Sequence, residues 1–190
     1  MKGILPFTLL GFGFLSGIRH AFEADHVAAV STMAGSQAKR QSLIGAFWGM
    51  GHLAALFAAG LAVLMFRVSI PEKVALLLEL AVGIMLLVLG ADALAKANKY
   101  KIHFHRHRHG ITEHMHFHSH ISGKSHWHWH PQFKKSFAVG LIHGLAGSAA
   151  LMLLVLMAAE SVLSGISYIL LFGIGSISGM VLISNAISLP

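Results

Sequence analysis

Residues 42–66 read SLIGAFWGMGHLAALFAAGLAVLMF, twenty-five consecutive positions without a formal charge, with His52 the one ionisable side chain. A helix crossing the hydrocarbon core of a bilayer needs about 20 predominantly apolar residues, so this stretch is long enough to span. Three others match it. Residues 74–94 carry two carboxylates, Glu79 and Asp92; residues 137–159 carry no formal charge and one histidine, His143; residues 166–189 carry neither a formal charge nor a histidine. A fifth, residues 4–18, is apolar but runs into Arg19, His20, Glu23, Asp25 and His26 before apolar residues resume at Val27. A single run of this kind could be the buried helix of a soluble domain. Five in 190 residues leave too little polar surface to cover them.

Composition agrees. The chain is 55% hydrophobic and 11% charged, with no cysteine, where an ordinary soluble domain is roughly 25% charged. These proportions exclude a disordered chain, a disulfide scaffold and a typical soluble enzyme. The expected fold is all-α, a polytopic transmembrane helix bundle with five visible spans. Residues 1–190 would form a single transmembrane domain, with a histidine-rich loop at about 98–135. Gly13/Gly17, Gly45/Gly49, Gly140/Gly144 and Gly175/Gly179 are each four residues apart. Such pairs share a helix face and let a second backbone come close, which predicts tight packing.

Lys and Arg set the orientation. The links after spans one and three hold ten of them, from Lys39 to Lys135; the opposite side holds Lys2, Arg67 and Lys73. The expected placement is the cell (inner) membrane, multi-pass, with the N-terminus outside and the histidine-rich loop cytoplasmic. The excess of positive charge is then a topology signal, and no nucleic-acid partner is expected; the partners are the lipid bilayer and a metal ion.

Fifteen histidines are far more than such a chain needs. Eleven fall in alternating runs: His103, His105, His107, His109; His114, His116, His118, His120; and His126, His128, His130. In an extended chain alternate residues point the same way, so several imidazoles could reach one ion. Imidazole suits Zn, Cu, Fe and Ni. A loop containing Gly and Ser enforces no single geometry, so this binding would be loose and of multiple occupancy. The interleaved Phe104, Phe117, Trp127 and Trp129 suit the lipid interface.

The remaining four histidines lie within apolar spans, where ionisable groups are costly and read as functional. At roughly 100° per residue, His20, Glu23 and His26 fall at about 0°, 300° and 240°, a stripe about 120° wide. Two nitrogens and a carboxylate could therefore converge on one ion. Asp25, at about 140°, would instead hold an imidazole or Arg19, unless the helix unwinds and lets it reach the ion. His52 and His143 sit beside glycines in charge-free spans and could complete the ligand set.

Arg19-His20-Ala21-Phe22-Glu23-Ala24-Asp25-His26 resembles the His-x4-Asp-His signature of the nickel/cobalt transporter family, and Phe47-Trp48-Gly49-Met50-Gly51-His52 is similar to that family's second motif. Residues 140–150 (Gly-Leu-Ile-His-Gly-Leu-Ala-Gly-Ser-Ala-Ala) and residues 175–182 resemble its UreH-like branch, a urease-associated nickel permease. The resemblance implies that the first motif, on a membrane helix, takes part in binding the transported ion. Glu23 stands where the family usually has Asp, and the Asp-Thr-Ala-Thr-Glu motif is absent, with His143 and Ser148 in that region. Members of the branch commonly carry another helix, so a sixth is expected beyond Pro190.

The function expected from these readings is a permease for Ni²⁺ or Co²⁺, with metal ligands His20, Glu23, Asp25, His26, His52 and His143 and a loop that gathers metal. No cofactor is expected beyond the transported ion, and no enzymatic activity, since the cluster lacks the His-Glu-x-x-His spacing of a zinc hydrolase. Partners in nickel-enzyme maturation are implied by the resemblance. Two rivals stay open: an efflux permease, and a non-transporting membrane metallochaperone or sensor.

Overall fold

The computed structural model describes residues 4–33, 38–66, 70–99, 103–109, 112–118, 131–146 and 161–188. The architecture is an all-α helix bundle. Among the described residues the helices are α1 (Ile4–Ala21), α2 (Ala24–Thr32), α3 (Ala38–Phe66), α4 (Glu72–Lys99), α5 (Pro131–Ala146) and α6 (Val162–Ser188). Three of them are long and apolar enough to cross a membrane: Arg40–Phe66, Glu72–Asn98 and Val162–Ile187.

α3 is the centre of the bundle. It packs against α5 on one side and α6 on another, while α1 lies along α6. The glycines make these approaches possible. A methyl group on Gly140 would strike the backbone carbonyl of Trp48, and one on Gly17 the carbonyl of Phe172. Gly45 meets Met180 and Ser184, and Gly179 meets Ala21. Small residues let helix backbones come this close where water supplies no hydrophobic drive between them. Ser136 adds a hydrogen bond to the carbonyl of Ile44 at 2.6 Å, and Ser42 one to Asn185 Oδ1 at 2.5 Å.

These contacts also fix relative direction. Ser136, Gly140 and Gly144 meet Ile44, Trp48 and His52 in turn, so α3 and α5 run parallel. Gly13, Gly17 and Gly179 meet Tyr168, Phe172 and Ala21, so α1 and α6 run parallel. Gly49 meets Ile177 while Gly173 meets Leu53, so α3 and α6 run opposite ways. Trp48, Met180, Ala21 and Val30 form one buried cluster, and Leu56, Tyr168, Ile169 and Phe172 a second.

α4 lies at the edge. Leu76, Leu77, Leu80, Leu87 and Val88 are exposed, an apolar face suited to lipid. Lys135 of α5 reaches Asp92 of α4 at 2.9 Å, beside Lys96 at 2.8 Å.

The histidine-rich link between α4 and α5 contains an antiparallel hairpin, β1 (His103–His109) with β2 (Thr112–His118). Its Cα register sets His103 opposite His118, His105 opposite His116 and His107 opposite His114. His120, His126, His128 and His130 lie outside the described residues.

Candidate metal centre

One continuous helix through the first cluster is the expectation the structure overturns. α1 ends at Ala21, α2 begins at Ala24, and Phe22 and Glu23 form the joint between them. The last turn of α1 tightens, with Phe22 N donating to the Arg19 carbonyl and Glu23 N to that of His20, both at 3.0 Å. Glu23 is extended (φ −65°, ψ 148°), and the chain re-enters helix with His26 N and Val27 N donating to its carbonyl at 3.1 Å. Neither Gly nor Pro marks the break. A helix interrupted at membrane depth is tolerated where its freed backbone groups are buried in protein. The break also brings Asp25 into the first turn of α2, where a carboxylate suits the positive end of the helix dipole.

The stripe of His20, Glu23 and His26 on one helix face therefore does not form. His20 closes α1 and His26 opens α2, their rings 4.4 Å apart edge to face. His52 of α3 stands 5.3 Å from both. His143 of α5 lies 4.3 Å from His26. Four imidazoles from four helices thus meet in one place, and His26, His52 and His143 are buried.

The carboxylates sort the ring nitrogens. Asp25 Oδ1 lies 2.8 Å from His26 Nδ1, and Asp25 Oδ2 lies 2.8 Å from His143 Nε2. A carboxylate only accepts, so each imidazole donates its N–H to Asp25 and keeps a lone pair on its other nitrogen. Those other nitrogens, His26 Nε2 and His143 Nδ1, are buried without a hydrogen-bond partner. Glu23 Oε2 lies 3.1 Å from His20 Nδ1. Glu23 itself is 57% exposed, and its carboxylate meets the cluster at His20. Both nitrogens of His52 lack a partner.

Leaving buried polar atoms unpaired costs about 1–3 kcal/mol each, and a ligand that takes their lone pairs removes that cost. Two groups offer one ligand atom per residue within 4.8 Å of one another: His20, His26 and His52, and Asp25, His26 and His143, the second being the set that Asp25 already joins by hydrogen bonds. Metal–nitrogen bonds of roughly 2.0–2.1 Å would draw these atoms a little closer together. Histidines whose second nitrogen is fixed by a carboxylate are the usual form of a metal ligand.

Of the six residues singled out by sequence, five therefore belong to one or other group, and Glu23 stands behind His20. Arg19 is exposed and takes no part in holding Asp25. Trp48 was not singled out. Its indole stacks on His52 at 5.1 Å and 13°, and lies 5.0 Å from His26, forming an apolar wall that fixes both rings. Its place one helical turn before His52 was the available signal.

The comparisons with known proteins bear on the whole chain. The family model described as the cytochrome C biogenesis protein transmembrane region matches residues 27–189. The urease accessory protein UreH of Bacillus sp. (strain TB-90) is 37% identical over 185 residues, covering 96% of this chain and 77% of that protein. No solved structure matches. The chain is a multi-pass membrane protein that belongs to the family of the cytochrome C biogenesis protein transmembrane region, and it is a relative of UreH.

Proposed function

We propose that this protein is a permease that carries Ni²⁺ or Co²⁺ across the cell membrane and belongs to the UreH-like branch of the nickel/cobalt transporters. One observation carries the reading: buried imidazole nitrogens without partners converge from α2, α3 and α5, while Asp25 occupies the opposite nitrogens of His26 and His143. The name of the relative, a urease accessory protein, supports a nickel context, because urease is a nickel enzyme. Nitrogen and oxygen donors suit Ni²⁺ and Co²⁺, and a chain without cysteine offers no thiolate to favour Cu⁺ or a sulfur-bound Zn²⁺.

In this reading the ion sheds water as it enters between His20, His26 and His52. Asp25 keeps His26 and His143 in the tautomers that present a lone pair, and the ion leaves past His143. Apolar surroundings raise the cost of a bare charge, so the ion is held only where these ligands replace its water. The histidine-rich link gathers metal on the cytoplasmic side, and the N-terminus lies outside. The direction proposed is uptake.

The test is radioactive nickel uptake by cells expressing His20→Ala and His26→Ala. Each variant is expected to lose uptake at least tenfold, on the scale that removing a metal-site partner imposes, at an unchanged level in the membrane. Normal uptake by both would end the proposal. Lower nickel accumulation in cells expressing the unaltered protein would reverse the direction.

A further inference from the structure

The two halves of the chain repeat one another. Phe14, Gly17 and His20 of α1 recur 123 residues later as Phe137, Gly140 and His143 of α5. Trp48-Gly49-Met50-Gly51-His52 of α3 recurs 124 residues later as Phe172-Gly173-Ile174-Gly175-Ser176 of α6. Helices paired in this way run in opposite directions, and their contacts correspond one for one. Gly17 lies against the carbonyl of Phe172 as Gly140 lies against that of Trp48. Gly175 lies against the carbonyl of Phe14 as Gly51 lies against that of Phe137. Gly49 meets Ile177 and Gly173 meets Leu53, so the contact between α3 and α6 maps onto itself. The rings follow: His20 to Phe172 is 5.3 Å, and His143 to Trp48 is 5.3 Å. An operation that exchanges two antiparallel helices is a twofold axis perpendicular to them, lying in the membrane plane.

Around this axis His20 exchanges with His143, and His52 with Ser176. Ser176 is fully buried and its hydroxyl has no hydrogen-bond partner. A serine inside a helix can bond back to the carbonyl four residues earlier, as Ser178 does to Ile174 at 2.9 Å and Ser167 to Leu163 at 2.9 Å, whereas the buried hydroxyl of Ser184, packed against Gly45, does not. Ser176 makes no such bond, and His52, its counterpart, also leaves its polar atoms unpaired. His26 and Asp25 have no equivalents, since the positions 123 residues on are Ala149 and Ser148.

We propose that Ser176 is a fourth corner of the metal centre, where its hydroxyl meets the ion directly or through one of the ion's waters. This rests on the metal-binding reading above. The repeat that supplies imidazole at His52 supplies a neutral hydroxyl at Ser176, a weaker partner for Ni²⁺ or Co²⁺ than imidazole. The ion is thus gripped by nitrogen on three sides and held loosely on the fourth, which sets affinity and lets it leave.

The test uses the full chain with Ser176→Ala, Ser176→His, His52→Ser and the double variant His52→Ser/Ser176→His, read by nickel uptake and by the visible absorption of Co²⁺ bound to purified protein. Ser176→Ala is expected to raise the apparent KM several-fold and to shift the Co²⁺ band. Ser176→His should lower KM about tenfold, equivalent to 1.4 kcal/mol, and slow the maximal rate. The double variant should regain part of the uptake that His52→Ser alone loses. If uptake and Co²⁺ absorption are unchanged in the Ser176 variants while His52→Ser is inactive, the fourth corner is refuted and the metal centre stands. If His52→Ser transports normally, both fall. Ser176→Ala removes one atom and adds none, so it decides the matter even if the bulkier Ser176→His does not fold.

Discussion

Asp25 accepts from two buried imidazoles at 2.8 Å each, and this one side chain determines which nitrogens of His26 and His143 stay available. Asp25→Asn keeps the shape but can accept on only one atom, so one imidazole loses its orientation. Nickel affinity, read from the concentration dependence of uptake, is expected to fall about 10–100-fold; an unaltered dependence would show that the clamp is irrelevant to binding. Glu23→Gln should do less, since Glu23 is 57% exposed and water can replace it at His20. At this scale His20, Asp25 and His26 were legible in the sequence because charges are rare in apolar spans. The division between Asp25 and Glu23 was not, because it follows from a helix break that carries no Gly or Pro. His52 and His143 each looked like a lone histidine among glycines, and only their meeting with His26 distinguishes them from packing residues.

At the level of the helices, glycine position separates two kinds of surface. Gly17 and Gly51 face partner carbonyls, whereas Gly83 of α4 has open space around it. Gly17→Ala and Gly51→Ala are expected to destabilise the bundle by roughly 1–3 kcal/mol through overpacking, lowering the Tm of the detergent-solubilised protein. Gly83→Ala should be neutral or stabilising by up to about 1 kcal/mol, the gain of Ala over Gly within a helix. A drop in Tm for Gly83→Ala equal to the others would contradict the edge position of α4. The spacing of the glycines was visible in the sequence. Which helix each one meets was not, because a Gly-xxx-Gly pair specifies a flat face and leaves the partner open.

For the whole molecule, deletion of the histidine-rich link separates its contribution from that of the intramembrane cluster. Deleting residues 103–130 is expected to raise the apparent KM for nickel while leaving maximal uptake largely intact, since the ligand groups described, His20 with His26 and His52, and Asp25 with His26 and His143, lie on the helices. Uptake abolished by the deletion, with His20→Ala and His26→Ala still active, would move the essential site into the link. The sequence by itself determined that the chain is an all-α membrane bundle, because long uncharged runs are stable only where no water competes for their backbone and no polar surface has to cover them. It also marked the ionisable residues inside those runs as the ones to explain. Tertiary structure alone decided that α1 breaks at Phe22 and Glu23, that Asp25 joins imidazoles from α2 and α5, and that the halves are related by an axis in the membrane plane. The last two are relations between segments far apart in the chain. Periodicity along one helix cannot encode them; they arise when glycine faces on different helices come into contact and carry their histidines to one point.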